Sequence, residues 1–169
     1  MVRWCLSLGA DPNASSLSGN TVMQRAASYA SLDTLKLLVL HGGLFLKGAL
    51  IAHASYSHNL GRPERMEIVR FLSEHNAPID AFYLDNRDAP VDECDALAFG
   101  KQNAIHFAIW GGKMDMVKLL IERGADKNLP TWSSFKTNGE TISPVELALK
   151  FGHEDIAELL ESPDLDVKA

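Results

Sequence analysis

The sequence lacks a long apolar run. Its longest such stretch, Leu37 to Leu46, is interrupted by His41-Gly42-Gly43, whereas a membrane span needs about 20 apolar residues, so no membrane helix is expected. Met1 to Asp11 mimics a signal peptide, but its apolar centre is too short and soon meets an acid. Cysteine is scarce as well. Cys5 and Cys94 cannot make a disulfide framework, which fits a reducing, intracellular and cytoplasmic setting. A basic patch is missing too. Residues 1–80 hold 7 Lys/Arg against 6 Asp/Glu, and residues 81–169 hold 9 against 16. Phosphate backbones require clustered cations, so nucleic acid is not the expected partner.

Catalytic and metal signatures are equally thin. The chain contains no Gly-x-x-x-x-Gly-Lys, no Gly-x-Ser-x-Gly and no Gly-x-Gly-x-x-Gly. His53 and His58 are five apart, off the spacing of a helical zinc pair, and no Cys/His cluster completes a tetrahedral site. Asp85-Asn86-Arg87-Asp88 lacks the alternation and closing Glu of a calcium loop. Cys94 follows Asp92-Glu93 in an acidic loop, which raises a thiol pKa rather than activating it. No cofactor, no metal and no enzymatic activity are expected.

What the sequence does have is itself, several times over. Thr21 to Gly43 aligns without a gap on Asn103 to Ala125, and a third copy runs from Ser143 to Leu160. A broken copy begins at Gly48 and resumes at Met66, and Val2 to Asn13 is the closing half of a fifth. Each unit reads as two short helices. The first has a small central residue (Ala26, Ala108, Ala148), which lets neighbouring helices approach closely. The second has an apolar stripe at helical spacing: Leu35/Leu38, Val69/Leu72, Val117/Leu120, Ala157/Leu160. Cys5 falls on the column shared by Leu38, Leu72, Leu120 and Leu160. Gly9, Gly42, Asn76 and Gly124 stand where the second helix needs a left-handed residue to stop it. No unit alone can bury its stripe; stacked neighbours can.

These residues resemble the ankyrin repeat family. Its Thr-Pro-Leu-His-x-Ala-Ala opening is matched imperfectly by Thr21–Ala27, Asn103–Ile109 and Ser143–Leu149. Its Gly-Ala-Asp-x-Asn ending appears as Gly9–Asn13 and Gly124–Asn128, and its Gly-His turn as Gly152-His153. The resemblance implies an all-α solenoid, one domain over residues 1–169 with about four and a half helix–turn–helix units and irregular hairpin loops. The units fall at 1–13 (partial), 21–47, 48–80, 103–128 and 143–162, with long loops at 81–102 and 129–142. Equivalent second-helix positions lie 33, 34, 48 and 40 residues apart (Val2, Leu35, Val69, Val117, Ala157), against about 33 for a regular unit. The first unit lacks its opening helix, so the chain reads as a piece of a longer array.

The resemblance also implies a function. His106, at the His place of the opening motif, is expected to hydrogen-bond between units rather than act as a base, and His153 likewise. The last two residues of each first helix are expected to face a concave groove: Ser28-Tyr29, Ser55-Tyr56, Trp110-Gly111 and Lys150-Phe151. Every complete unit puts one aromatic there, although aromatics are 8% of the chain, and aromatics suit protein interfaces. Shielding of the helix ends would place them there equally well. The candidate partner-binding residues are therefore Ser28, Tyr29, Tyr56, Trp110, Lys150 and Phe151, flanked by Phe99, Trp132 and Phe135 on the long loops. The reading is a non-catalytic module that binds a protein or peptide, with a basic partner suggested by the acidic second half. The alternatives are a recruiting or sensing arm of a larger protein, such as a ubiquitin ligase or signalling receptor, and a mere spacer.

Overall fold

The computed structural model describes residues 1–17, 19–45, 49–56, 64–83, 102–132 and 141–162. In chain order these form α1 (Val2–Ser7), α2 (Val22–Tyr29), α3 (Leu32–Leu40), α4 (Leu50–Ser55), α5 (Glu64–Glu74), α6 (Ala104–Trp110) and α7 (Met114–Glu122). Two short strands follow, β1 (Thr131–Trp132) and β2 (Thr141–Ile142), and then α8 (Pro144–Lys150) and α9 (Glu154–Glu161). The strands pair antiparallel, Thr131 with Ile142 and Trp132 with Thr141. The loop expected at 129–142 thus stands on a hairpin base. The rest is the all-α solenoid that the repeats imply.

Local chemistry sets the helix starts. Thr21, Asn103 and Ser143 each accept the backbone N–H of the residue three on, and Gln24, His106 and Glu146 return the favour to the cap residue's own N–H. Such reciprocal boxes satisfy two backbone donors that a helix start leaves unpaired. Gln24, His106 and Glu146 occupy one and the same place in their units. α4 breaks the rule: Ala49 makes no side-chain cap, and all six of its residues are buried instead. Helix ends behave as the sequence suggests, with positive φ at Gly9, Gly42, Asn76 and Gly124.

The first helices α2, α4, α6 and α8 pack side by side in one layer, and α3, α5, α7 and α9 do so in the other. Leu38, Leu72, Leu120 and Leu160 form the buried column between second helices, while Cys5 on α1 is half-buried. Polar ties cross from unit to unit. Asn13 donates from Nδ2 to the Gly42 carbonyl and accepts the Leu44 N–H, both at 2.8 Å. Asp80 holds the equivalent place and accepts the Asp126 N–H with both oxygens at 3.2 Å. Arg65, 1% exposed, reaches back from α5 to donate to the carbonyls of Ala27 (2.7 Å) and Ala30 at the end of α2. Its charge there opposes the negative end of the helix dipole.

Candidate protein-binding face

The C-terminal ends of the first helices carry the residues singled out in the sequence, because each helix stops within one residue of the same place in its unit. Tyr29 is 52% exposed, and the Arg25 guanidinium lies 4.7 Å from its ring centroid. Tyr56 is half-buried and packs edge-on to Phe107 at 5.1 Å. Trp110 and Phe151, both half-buried, meet across the α6–α8 step at 6.3 Å. Lys150 is exposed beside them.

Ser28 does not share this exposure. It is 4% exposed, and its hydroxyl lies 3.1 Å from His53 Nδ1, so it turns inward toward α4 rather than outward to a groove. Trp132 contributes its backbone to β1. Phe99 and Phe135 lie outside the described residues.

Tyr83 joins the face unforeseen. Its ring sits 4.2 Å from His53, 5.8 Å from Tyr56 and 5.3 Å from Phe107, and its N–H donates to the Gln102 carbonyl at 2.8 Å. Two aromatics in a row at Phe82-Tyr83, opening a long loop, were the only signal. His53 is the second addition. It occupies the place that Ala26, Ala108 and Ala148 fill in the other units, and burial, with the Arg25 charge, lowers its pKa to about 4. Among the described residues, its Nε2 and the Ser55 hydroxyl are buried without a hydrogen-bond partner. The step from α2 to α4 pairs Ser28 with His53. The matching step from α4 to α6 offers Ser55 only Ala108, which carries no polar group.

His106 does what a buried imidazole in a cap should do. Nδ1 accepts the Asn103 N–H at 3.1 Å, which leaves the proton on Nε2 to donate to the Leu129 carbonyl at 2.8 Å. Burial lowers its pKa to about 4. The His153 ring packs over Gly112, where an added Cβ would fall 2.7 Å from it. The Ser28–His53 pair is closed to solvent, so no substrate can approach it. Among the described residues no group of three or more His, Cys, Asp or Glu could hold a metal ion, and no helix is long and apolar enough to cross a membrane.

Comparison with known proteins accords with this architecture. A family model for ankyrin repeats in three copies matches residues 47–169, and one for ankyrin repeats in many copies matches residues 1–39. Alpha-latrocrustotoxin-Lt1a of Latrodectus tredecimguttatus is 26% identical over 159 residues, which is 86% of this chain and 10% of that protein. The chain thus spans about a tenth of the length of the curated relative it matches.

Proposed function

Because the chain belongs to the ankyrin repeat family, whose members are generally protein-interaction modules, we propose that it is a non-catalytic module holding a segment of another protein along the ends of α2, α4, α6 and α8. The observation that carries this reading is the succession of incompletely buried rings there: Tyr29, Tyr56, Trp110 and Phe151. An aromatic anchor gives large contact area with few rotors to freeze, and truncating one commonly costs about 2 kcal/mol or more in binding. Trp132 and, on the loops beyond the described residues, Phe99 and Phe135 are the flanking candidates.

Affinity capture from the source cell supplies the partner for the test. Trp110→Ala and Tyr56→Ala should each weaken its binding at least about tenfold, near 1.4 kcal/mol, with the helical circular-dichroism signal unchanged. Full affinity in the folded double variant would move the site to the loops or to the second-helix face. A second reading, a recognition arm within a longer polypeptide, is favoured by the matched stretch being 10% of the relative's length. It needs the same face.

A further inference from the structure

α4 carries a histidine where the other units carry Ala26, Ala108 and Ala148, so the packing plan asks for no titratable group there. His53 is 3% exposed. Ser28 Oγ lies 3.1 Å from Nδ1, and among the described residues Nε2 has no partner. An imidazolium donates from both nitrogens. The Ser28 hydroxyl can accept from one; the other would hold a charged N–H that nothing described accepts, a costly state away from water. The charged groups on the elements around α4 do not compensate. α2 brings Arg25, whose charge opposes a second cation. α5 brings Arg65, engaged with the carbonyls of Ala27 and Ala30, while Glu64, Glu67, Arg70 and Glu74 on that helix are exposed. α6 brings only His106, held between Asn103 and Leu129. In the stretch after α5, Asp80 is committed to the Asp126 N–H and His75 stacks on Phe45.

Tyr83 lies against His53, ring centroids 4.2 Å apart. Ser28 belongs to α2, which is packed on α4, whereas Tyr83 belongs to the irregular stretch after α5. Of these two neighbours, Tyr83 is the one that moves without disturbing a helix. Its ring face attracts a cation, yet burial still holds the His53 pKa at about 4. We propose that Tyr83 is an acid-released latch: a proton taken up by His53 drives it aside, baring the rings of Tyr56 and Phe107 against which it packs, while the helical stack persists. The consequence for binding rests on the groove reading above; the release itself does not. Its sign follows from linkage, since the open form binds the proton more tightly and is therefore favoured as pH falls. With His53 titrating at about 4 when covered and at 6.5 when free, the opening constant rises about 50-fold from pH 7 to pH 4.5.

The test is nuclear magnetic resonance of the isotope-labelled intact chain between pH 7 and pH 4.5. The ring signals of Tyr83 and Tyr56 should shift together with the titration of His53, and the hydrogen-exchange protection of the Tyr83 amide should fall about 50-fold, while the Leu120 methyls keep their native positions. His106→Gln should leave this transition in place, and His53→Ala or His53→Gln should abolish it. Tyrosine rings that stay put while His53 titrates, or that move equally in the His53 variants, would overturn the latch. So would loss of the Leu120 signals at the same midpoint, because the event would then be global unfolding. Should a His53 variant fail to fold, the parent chain still decides, by whether Tyr83 and Leu120 respond separately. No partner enters the measurement, so failure of the groove reading leaves its outcome untouched.

Discussion

The units built on α6–α7 and on α4–α5 follow one plan by different means. α6 starts on a reciprocal cap between Asn103 and His106, and Ala108 at its centre lets its neighbours approach. α4 has no side-chain cap, carries Ile51 at the capping place and His53 at the small-residue place, yet is buried along its whole length. Its partner α5 sinks an arginine into the structure, where α7 has nothing of the kind. The contrast teaches that a repeat position can be held either by local hydrogen bonds or by enclosure between neighbours. Where the first is missing, the second must be complete.

The comparison is most strongly probed at the shared column. Leu120→Ala in α7 should cost about 2–5 kcal/mol, as truncation of a buried leucine does, and Leu72→Ala in α5 should match it. Chemical denaturation measures both. A loss below about 0.5 kcal/mol at either site would mean that the column is not continuous. Because neighbouring units share their interfaces, the loss should also be felt beyond the altered unit.

Acid probes the two histidines. Each has a folded pKa of about 4 against 6.5 unfolded, so the unfolded chain takes up protons first as pH falls. The stability each neutral ring contributes is complete above about pH 6.5 and is lost between there and pH 4, roughly 3 kcal/mol apiece. His106→Gln, which copies Gln24, should keep the cap and remove one share of this acid sensitivity. His53→Ala, which copies Ala26 and Ala108, should remove the other. Denaturation midpoints from pH 7 to pH 4.5 that fall as steeply in the double variant as in the parent would refute the assignment.

Smaller effects separate the units further. Asn103→Ala should cost about 1 kcal/mol by removing an N-cap, read as a lowered thermal midpoint. Ser55→Ala should do the opposite, raising stability by up to about 1 kcal/mol, because it deletes a buried hydroxyl that has no partner among the described residues. A destabilised Ser55→Ala would show that this hydroxyl is hydrogen-bonded in solution.

Much of the architecture was legible because repetition converts weak local signals into register. Gly9, Gly42, Asn76 and Gly124 share one place in their units, and all four take the left-handed conformation. The His place of the opening motif was legible as a position, but its work as the return half of a cap emerged only with Gln24 and Glu146 beside it. Arg65 was not legible. An arginine in a first helical turn reads as solvated, and its acceptors are main-chain oxygens 35 and 38 residues earlier. Ser28 was misjudged for a similar reason, since its direction is decided by a histidine one unit further on. On the face, reading residues in pairs hid that Trp110 stands one position earlier in its unit than Tyr29, Tyr56 and Phe151. The structure sets it against Phe151 of the following unit.

Asn13 grips the carbonyl of Gly42 and the N–H of Leu44, Asp80 grips the N–H of Asp126, and Arg65 grips the carbonyls of Ala27 and Ala30. Each of these ties ends on main-chain atoms, which every residue supplies whatever its side chain. Mutation can therefore rewrite a receiving unit residue by residue without cutting the tie that holds it to its neighbour. Joints that ignore side-chain identity let successive copies diverge while the stack persists, and the α4–α5 unit, with its foreign histidine and buried arginine, is how far such divergence has gone in this chain.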